Sequence, residues 1–191
     1  MTNEDTDSIV ADSRGKILTI PNLLSVFRLC LIPLLVWLYC WKQAYAWTGS
    51  ILILSGVTDL LDGYIARRFN AVSDLGKVLD PVADKLTQGA MLLCLLTRFP
   101  LMWLPLSLMV VRELFMATTG LWIIRKTGRV LGAEWHGKAA TVLLYAAMIL
   151  HVFWYAIPEM VSMLSIAICA VMIAVSFVLY GIRNIQVLKG G

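Results

Sequence analysis

The sequence predicts an all-α integral membrane protein with six transmembrane helices. Of the 191 residues, 60% are hydrophobic and 15% are charged, whereas a soluble domain has about half apolar and about a quarter charged residues. The mean hydropathy is +0.81. Apolar stretches long enough to cross a bilayer follow one another with short gaps. An ordinary soluble enzyme and a disordered tail are therefore excluded.

Six apolar stretches define the predicted elements in order. They cover residues 23–41, 47–66, 79–97, 101–124, 139–157 and 160–182. Residues 1–22 are polar and lack the apolar core of a signal peptide, so we expect a cytoplasmic, juxtamembrane segment there. No linker or repeat interrupts the spans. This predicts one six-helix domain over 23–184 and a cytoplasmic tail over 185–191.

The distribution of basic residues predicts the orientation of the spans. Of the 16 Lys and Arg residues, Lys42 and Arg98 fall in the loops on one side, and Arg28 and Arg112 fall inside spans. The other twelve lie on the side that carries both termini. The positive-inside rule therefore places both termini and the loop between spans 2 and 3 in the cytoplasm. The net charge of +4 is too small to indicate binding to nucleic acid.

Cysteines and histidines are expected to have mainly structural roles in this chain. His136 is expected to be a solvated or packed residue, the alternative being a proton-dependent cation for the acceptor. His151, deep in span 5, is expected to form a hydrogen bond between helices. The four cysteines show no C-x₂-C spacing, so we expect them to be small buried side chains without a redox or metal role: Cys30, Cys40, Cys94 and Cys169.

Four aspartates lie close together in the sequence, at the edges of two consecutive apolar spans: Asp59, Asp62, Asp80 and Asp84. A carboxylate at membrane depth costs several kcal/mol unless it is paired, so these residues are functional candidates. The first two are spaced i,i+3 and the last two i,i+4, which puts each pair on one helix face. A short loop joins the two helices, so all four carboxylates can converge.

Four converging carboxylates favour hard cations such as Mg²⁺, Mn²⁺ or Ca²⁺. They suit two ions about 3.5–4 Å apart, the arrangement used in two-metal phosphoryl chemistry. The alternative is that the acids cap helices or pair with nearby cations, namely Arg67, Arg68, Lys77 and Lys85. Between the acids, Gly63, Ala66 and Gly76 would let a ligand approach the backbone, and Arg67 supplies a cation for a phosphate.

The segment from Asp59 to Asp84 resembles the signature D-x₂-D-G-x₂-A-R-x₈-G-x₃-D-x₃-D of the CDP-alcohol phosphotransferases, and all eight specified residues match. The run IPNLLSVFRL at 20–29 is similar to the start of the first span in phosphatidylglycerophosphate synthases and eukaryotic-type cardiolipin synthases. The resemblance implies transfer of a phosphatidyl group from CDP-diacylglycerol to an alcohol, with release of CMP. It also implies homodimers and an active site at the cytoplasmic interface.

The resemblance assigns roles to the motif residues. It implies that Asp59, Asp62, Asp80 and Asp84 bind divalent metal, Mg²⁺ or Mn²⁺, as two ions. Asp84 would also act as the general base that takes the proton of the attacking hydroxyl. The CDP group would lie against Gly63, Ala66, Arg67 and Gly76.

The acceptor is predicted from two further runs. VVRELFMATTG, containing Arg112, resembles a run of phosphatidylglycerophosphate synthases and implies glycerol 3-phosphate as the acceptor, although an Arg112–Glu113 pair that joins two helices is the structural alternative. WHGKAAT supplies Lys138 and Thr141, but Ala140 replaces the second lysine of the G-K-x-K-T pattern. Ala140 favours phosphatidylglycerol as the acceptor, which would give cardiolipin.

A membrane transporter is the main non-enzymatic alternative. Transporter sites lie near the bilayer midplane on broken helices. The motif acids instead lie at span ends on one side, which favours an enzyme at the membrane surface.

Overall fold

The computed structural model describes residues 20–69, 74–128, 132 and 134–189; at 20–22, 59–69, 74–78, 127 and 189 it describes the backbone alone. Within these residues the chain is all-helical, as predicted, and contains no strand. The six α-helices are α1 (Ile20–Cys40), α2 (Tyr45–Phe69), α3 (Asp74–Leu96), α4 (Trp103–Thr127), α5 (Trp135–Phe153) and α6 (Glu159–Lys189). A 3₁₀ turn, Pro100–Met102, precedes α4.

The helices match the predicted spans in number and order, but their ends differ. α5 is displaced as a whole, because both of its ends lie earlier in the chain than those of the predicted span 139–157. It begins after Glu134, whose backbone is extended (φ −91°, ψ 157°), and it ends before Trp154, which leaves helical geometry (φ −95°, ψ 81°). The last helix continues to Lys189, so residues 185–189, expected as a tail, are helical.

Four stretches within the described residues are long and apolar enough to cross a membrane: Leu23–Cys40, Pro100–Lys126, Trp135–Phe153 and Glu159–Leu188. They belong to α1, α4, α5 and α6, which establishes a membrane protein with several spanning helices. The described parts of α2 and α3, which carry the motif acids, do not meet the same criterion. A span count of six and the cytoplasmic placement of both termini stay predictions.

The chain divides into two compact units, residues 1–94 and 95–191. In the first unit, α1 packs against α2, and α3 contacts α1 through side chains. Leu35 of α1, Leu52 of α2 and Leu92 of α3 are almost completely buried. Because each comes from a different helix, all three helices contribute to the apolar core of this unit.

In the second unit, α4 and α5 both pack against α6. The predicted helix-to-helix hydrogen bond of His151 is confirmed: its Nε2 lies 2.9 Å from the Ser162 hydroxyl on α6. The other ring nitrogen bonds the Ala147 carbonyl at 2.7 Å, so the buried imidazole is fully partnered. At the opposite end, α4 stops at Gly128, whose left-handed backbone (φ 66°) returns its N–H to the Ile124 carbonyl.

Candidate active site

The backbone places every residue of the acidic motif on a helix. Asp59 and Asp62 lie one turn apart on α2, as their i,i+3 spacing predicts. Asp80 and Asp84 lie one turn apart on α3. Gly63, Ala66 and Arg67 follow on α2, and Gly76 lies in the first turn of α3. For these four residues and for Asp59 and Asp62, the structure describes the backbone alone.

Asp80 is held by the first helix. Arg28 Nη2 donates a hydrogen bond to Asp80 Oδ1 at 2.7 Å, and the Ser25 hydroxyl lies 3.4 Å from the same oxygen. The arginine side chain is fully buried, whereas that of Asp80 is 38% exposed. The carboxylate is therefore oriented through one oxygen and stays open to a ligand.

Asp84 is more enclosed, with 14% of its side chain exposed. Its Oδ2 accepts a hydrogen bond from Gln88 Nε2 at 2.9 Å. Lys85 Nζ lies 3.6 Å from the same oxygen and donates to Gln88 Oε1 at 3.4 Å. An amide and a cation thus fix the orientation of this carboxylate. The pairing of Asp84 with Lys85 is one of those expected if the acids only pair with nearby cations, and it is present.

Arg112 is buried on α4 with 7% of its surface exposed. Its Nη2 lies 3.3 Å from Glu113 Oε1, and its Nε has no hydrogen-bond partner among the described residues. Since Glu113 is the next residue on the same helix, this ion pair itself lies within α4.

Lys138 and Thr141 lie on one side of α5, spaced i,i+3. Lys138 is exposed, and the Thr141 hydroxyl donates to the Gly137 carbonyl at 3.2 Å. Ala140 is completely buried, so the position where the G-K-x-K-T pattern has its second lysine lies in the interior of this unit.

A group of polar side chains lies where α5 begins against α6. His136, which is buried, lies 3.2 Å from the Ser176 hydroxyl and packs edge-on against the Tyr180 ring at 4.5 Å. Arg183 Nη1 donates to Glu134 Oε1 at 2.8 Å. Arg112 and Arg183 both lie close enough to His136 to interact with it electrostatically. Two arginines and a histidine therefore gather in this unit.

The sequence profile of one family, described as CDP-alcohol phosphatidyltransferase, matches residues 18–180. The chain belongs to this family. The resemblance inferred from the aspartate motif is thereby confirmed.

Relatives of this chain carry two different names. A cardiolipin synthase (CMP-forming) of Streptomyces coelicolor is 41% identical over 139 residues, which cover 69% of this chain and 64% of the relative. The CDP-diacylglycerol--glycerol-3-phosphate 3-phosphatidyltransferase 2 of Arabidopsis thaliana is 36% identical over 61% of this chain and 55% of its own length. An enzyme of Rickettsia bellii with the same activity in its name is 38% identical over 49% of this chain and 53% of its own length. The match thus spans less than two thirds of each relative.

The acids on α3 fit a divalent cation. Carboxylate oxygens are the donors that Mg²⁺ and Mn²⁺ prefer, and Asp80 presents an exposed carboxylate already oriented by Arg28. The described side chains alone contain no group of three or more His, Cys, Asp or Glu. Asp59 and Asp62, on which a complete ligand set depends, lie outside the described side chains.

The structural partners of two basic residues, Arg28 and Arg183, were not identified from the sequence. Arg28 was counted only as a charge inside a span, although a buried arginine requires an anionic partner. Arg183 was counted only toward the orientation. Its position near the end of an otherwise apolar helix was the available signal, but its partners on the loop before α5 depend on tertiary packing.

Proposed function

We propose that this chain transfers the phosphatidyl group of CDP-diacylglycerol to glycerol 3-phosphate, giving phosphatidylglycerophosphate and CMP. The observation that carries the proposal is the pair of carboxylates one turn apart on α3. Asp80 is oriented by Arg28 at 2.7 Å, and Asp84 by Gln88 at 2.9 Å. Family membership supports the reaction type, and relatives named for this acceptor support the substrate.

Enzymes of this family generally use a divalent metal. We assign the four acids Asp59, Asp62, Asp80 and Asp84 to two Mg²⁺ or Mn²⁺ ions, whose positive charge would neutralise the donor pyrophosphate and the departing CMP. Small residues at Gly63, Ala66 and Gly76 leave room for the CDP group beside the α2 and α3 backbones. Arg67 supplies a cation to the same phosphates.

Asp84 is the general base in this proposal. The acceptor hydroxyl oxygen forms a bond to the phosphorus of the phosphatidyl group, and the bond from that phosphorus to CMP breaks. Asp84 takes the hydroxyl proton. Because Gln88 and Lys85 hold Oδ2, the carboxylate is fixed in direction before the substrate arrives, which lowers the entropic cost of reaching the reactive geometry.

Arg112, Lys138 and Thr141 are assigned to the acceptor phosphate. The buried Arg112 offers an Nε–H without a described partner, and a phosphate would satisfy this donor with a charge-assisted hydrogen bond. Lys138 is exposed and adds a second positive charge. The Thr141 hydroxyl donates to its own helix, so its role would be that of an additional contact.

Phosphatidylglycerol, which would give cardiolipin, is the second candidate acceptor. Ala140 favours it, because a lysine that would bind a phosphate dianion is missing and the position is completely buried. The 41% identical Streptomyces coelicolor relative, named as a cardiolipin synthase, supports the same alternative.

We also propose that the enzyme is a homodimer with six spans, and that its active site and both termini face the cytoplasm. The excess of Lys and Arg on one side supports the orientation. A site at that interface would admit a water-soluble cytidine group while the diacylglycerol chains of the donor stay in the bilayer.

The test is an assay of the purified full chain with CDP-diacylglycerol, Mg²⁺ or Mn²⁺, and either glycerol 3-phosphate or phosphatidylglycerol. We expect CMP release that requires both the metal and glycerol 3-phosphate, with Asp84→Asn as the matched inactive control. Cardiolipin formed from phosphatidylglycerol, with glycerol 3-phosphate left unincorporated, would overturn the acceptor. No CMP release with any alcohol would overturn the reaction.

A further inference from the structure

Two cysteines of the first unit lie side by side. Cys40 is the last residue of α1, Cys94 lies near the end of α3, and their sulfur atoms are 3.7 Å apart. Cys94 is buried, whereas Cys40 is exposed, as is Cys30. The expectation that all four cysteines are buried is therefore wrong for two of them. Both lie on the outer surface of α1, which apolar composition alone did not reveal.

The thiol contact is one of two described places where side chains of α1 and α3 meet. Arg28 of α1 contacts Asp80 of α3 near one end of the pair, and Cys40 contacts Cys94 near the other. At about 1.5 Å of rise per residue, α1 extends about 18 Å from Arg28 to Cys40, and α3 extends about 21 Å from Asp80 to Cys94. Two contacts with matching separations and the same chain direction show that α1 and α3 run parallel side by side.

We propose that Cys40 and Cys94 form an intramolecular disulfide. The oxidant is an external disulfide that takes part in thiol–disulfide exchange. The Cys40 thiolate attacks it and releases one thiol, and Cys94 then attacks the Cys40 sulfur, loses its proton and releases the second thiol. Two thiols of the protein are oxidised and one external disulfide is reduced. The sulfurs need to approach from 3.7 Å to the bond length of about 2.05 Å.

The surroundings of Cys40 favour this chemistry. The next residues, Trp41, Lys42 and Gln43, are exposed and end the helix, so an oxidant reaches the sulfur from water. Under the proposed orientation, this end lies on the non-cytoplasmic side, where disulfides persist. The bond would close a loop across a sequence separation of 54 residues that contains all of α2 and the four motif acids. It would therefore lock the helix pair that holds Asp80 in register.

The test counts reactive thiols in the full-length protein, using maleimide labelling after denaturation. Purified protein treated with glutathione disulfide is expected to keep two of its four thiols reactive without gaining the mass of glutathione, and dithiothreitol is expected to restore all four. Cys40→Ser and Cys94→Ser should each prevent formation of the internal bond. Cys30→Ser and Cys169→Ser are the matched controls and should leave it intact. The oxidised protein should melt several degrees higher than the Cys40→Ser variant.

Four reactive thiols after oxidation, or an internal bond that survives in Cys40→Ser, would overturn the proposal. Oxidation of the purified protein together with four free thiols in intact cells would support the pairing and contradict the orientation. Because thiol counting does not depend on CMP release, failure of this proposal is distinguished from failure of the proposed reaction.

Discussion

The hydroxyl of Tyr180 occupies the space where a side chain at Gly137 would begin. A Cβ atom added at Gly137 would lie 2.4 Å from the tyrosine oxygen and 3.0–3.1 Å from two ring carbons. The same hydroxyl accepts the backbone N–H of Glu134 at 3.0 Å, and the ring packs against His136. The tyrosine therefore cannot move away without breaking the contacts that hold the start of α5 against α6.

Gly137→Ala is predicted to destabilise the protein by about 1–3 kcal/mol, the usual cost of overpacking. Tyr180→Phe in the same chain removes the closest atom, so the double variant should regain part of this loss. Gly120→Ala is the matched control, because a Cβ there meets nothing within 4 Å. The measurement is the apparent melting temperature of the purified protein. A double variant no more stable than the sum of the single losses would contradict the steric explanation.

Asp84→Asn is predicted to lower kcat by about 10²–10⁴-fold, the range that a general base contributes. The amide keeps the shape of the side chain but cannot accept the hydroxyl proton, so binding of CDP-diacylglycerol should change much less. Asp80→Asn serves as the comparison, since Asp80 has an assigned role in metal binding but none in proton transfer, and its loss should chiefly raise the metal concentration needed for half-maximal activity. The assay follows CMP release against metal concentration. Near-native turnover by Asp84→Asn would remove Asp84 from its assigned role.

Arg28→Met is predicted to lower the free energy of unfolding by about 3 kcal/mol. This is the low end of the range for breaking a buried ion pair, because the Asp80 side chain is 38% exposed. Asp80→Asn should lower the free energy of unfolding less in the Arg28→Met variant than in the native chain. A double-mutant cycle from melting curves should give a coupling of about 0.5–3 kcal/mol. Arg28→Lys, which retains the charge, is the control. Strictly additive losses would show that the 2.7 Å contact contributes nothing to stability.

Arg112→Gln is predicted to raise KM for glycerol 3-phosphate by about 10–150-fold. A charge-assisted hydrogen bond contributes about 1.5–3 kcal/mol, and about 1.4 kcal/mol corresponds to a tenfold change. KM for CDP-diacylglycerol should stay within about twofold. Lys138→Gln should have a smaller effect, because this side chain is exposed and its charge is screened. Equal increases in both KM values would indicate a general structural defect instead of an acceptor contact.

Single cysteines in a cysteine-free variant test the orientation. A membrane-impermeant maleimide applied to intact cells should label a cysteine that replaces Gln43 or Glu159. A cysteine that replaces Asn70 or Thr127 should be labelled only after the membrane is permeabilised. Labelling of position 70 in intact cells would place the motif on the outer side, away from cytosolic substrates.

The helices and the placement of the motif could be predicted from sequence because both depend on local spacing. Apolar stretches of spanning length indicated each helix, and the i,i+3 and i,i+4 intervals put each pair of acids on one helix. The partner of Asp80 could not be predicted in this way. Four acids were available to the buried Arg28, and the choice depends on the parallel packing of α1 and α3.

The ends of α5 and the surroundings of its first residues likewise could not be predicted from the local sequence. Hydropathy favoured a later start, because Trp135 to Lys138 are not uniformly apolar, whereas contacts with α6 stabilise the first turn. His136 was correctly expected to be solvated or packed, and the structure shows the packed form. Its neighbours Ser176 and Tyr180 lie on the following helix, far along the chain, so no local signal identified them.

The length of α6 has a consequence for where its polar end lies. Its 31 residues extend over about 46 Å at about 1.5 Å per residue, while the hydrocarbon layer is about 30 Å thick. If Glu159 marks one boundary, a helix crossing that thickness leaves the hydrocarbon close to Tyr180. Arg183 and Asn184 then lie at headgroup depth. The Arg183 guanidinium, paired with Glu134, then keeps its charge in the hydrated layer, without the energetic penalty of entering the hydrocarbon.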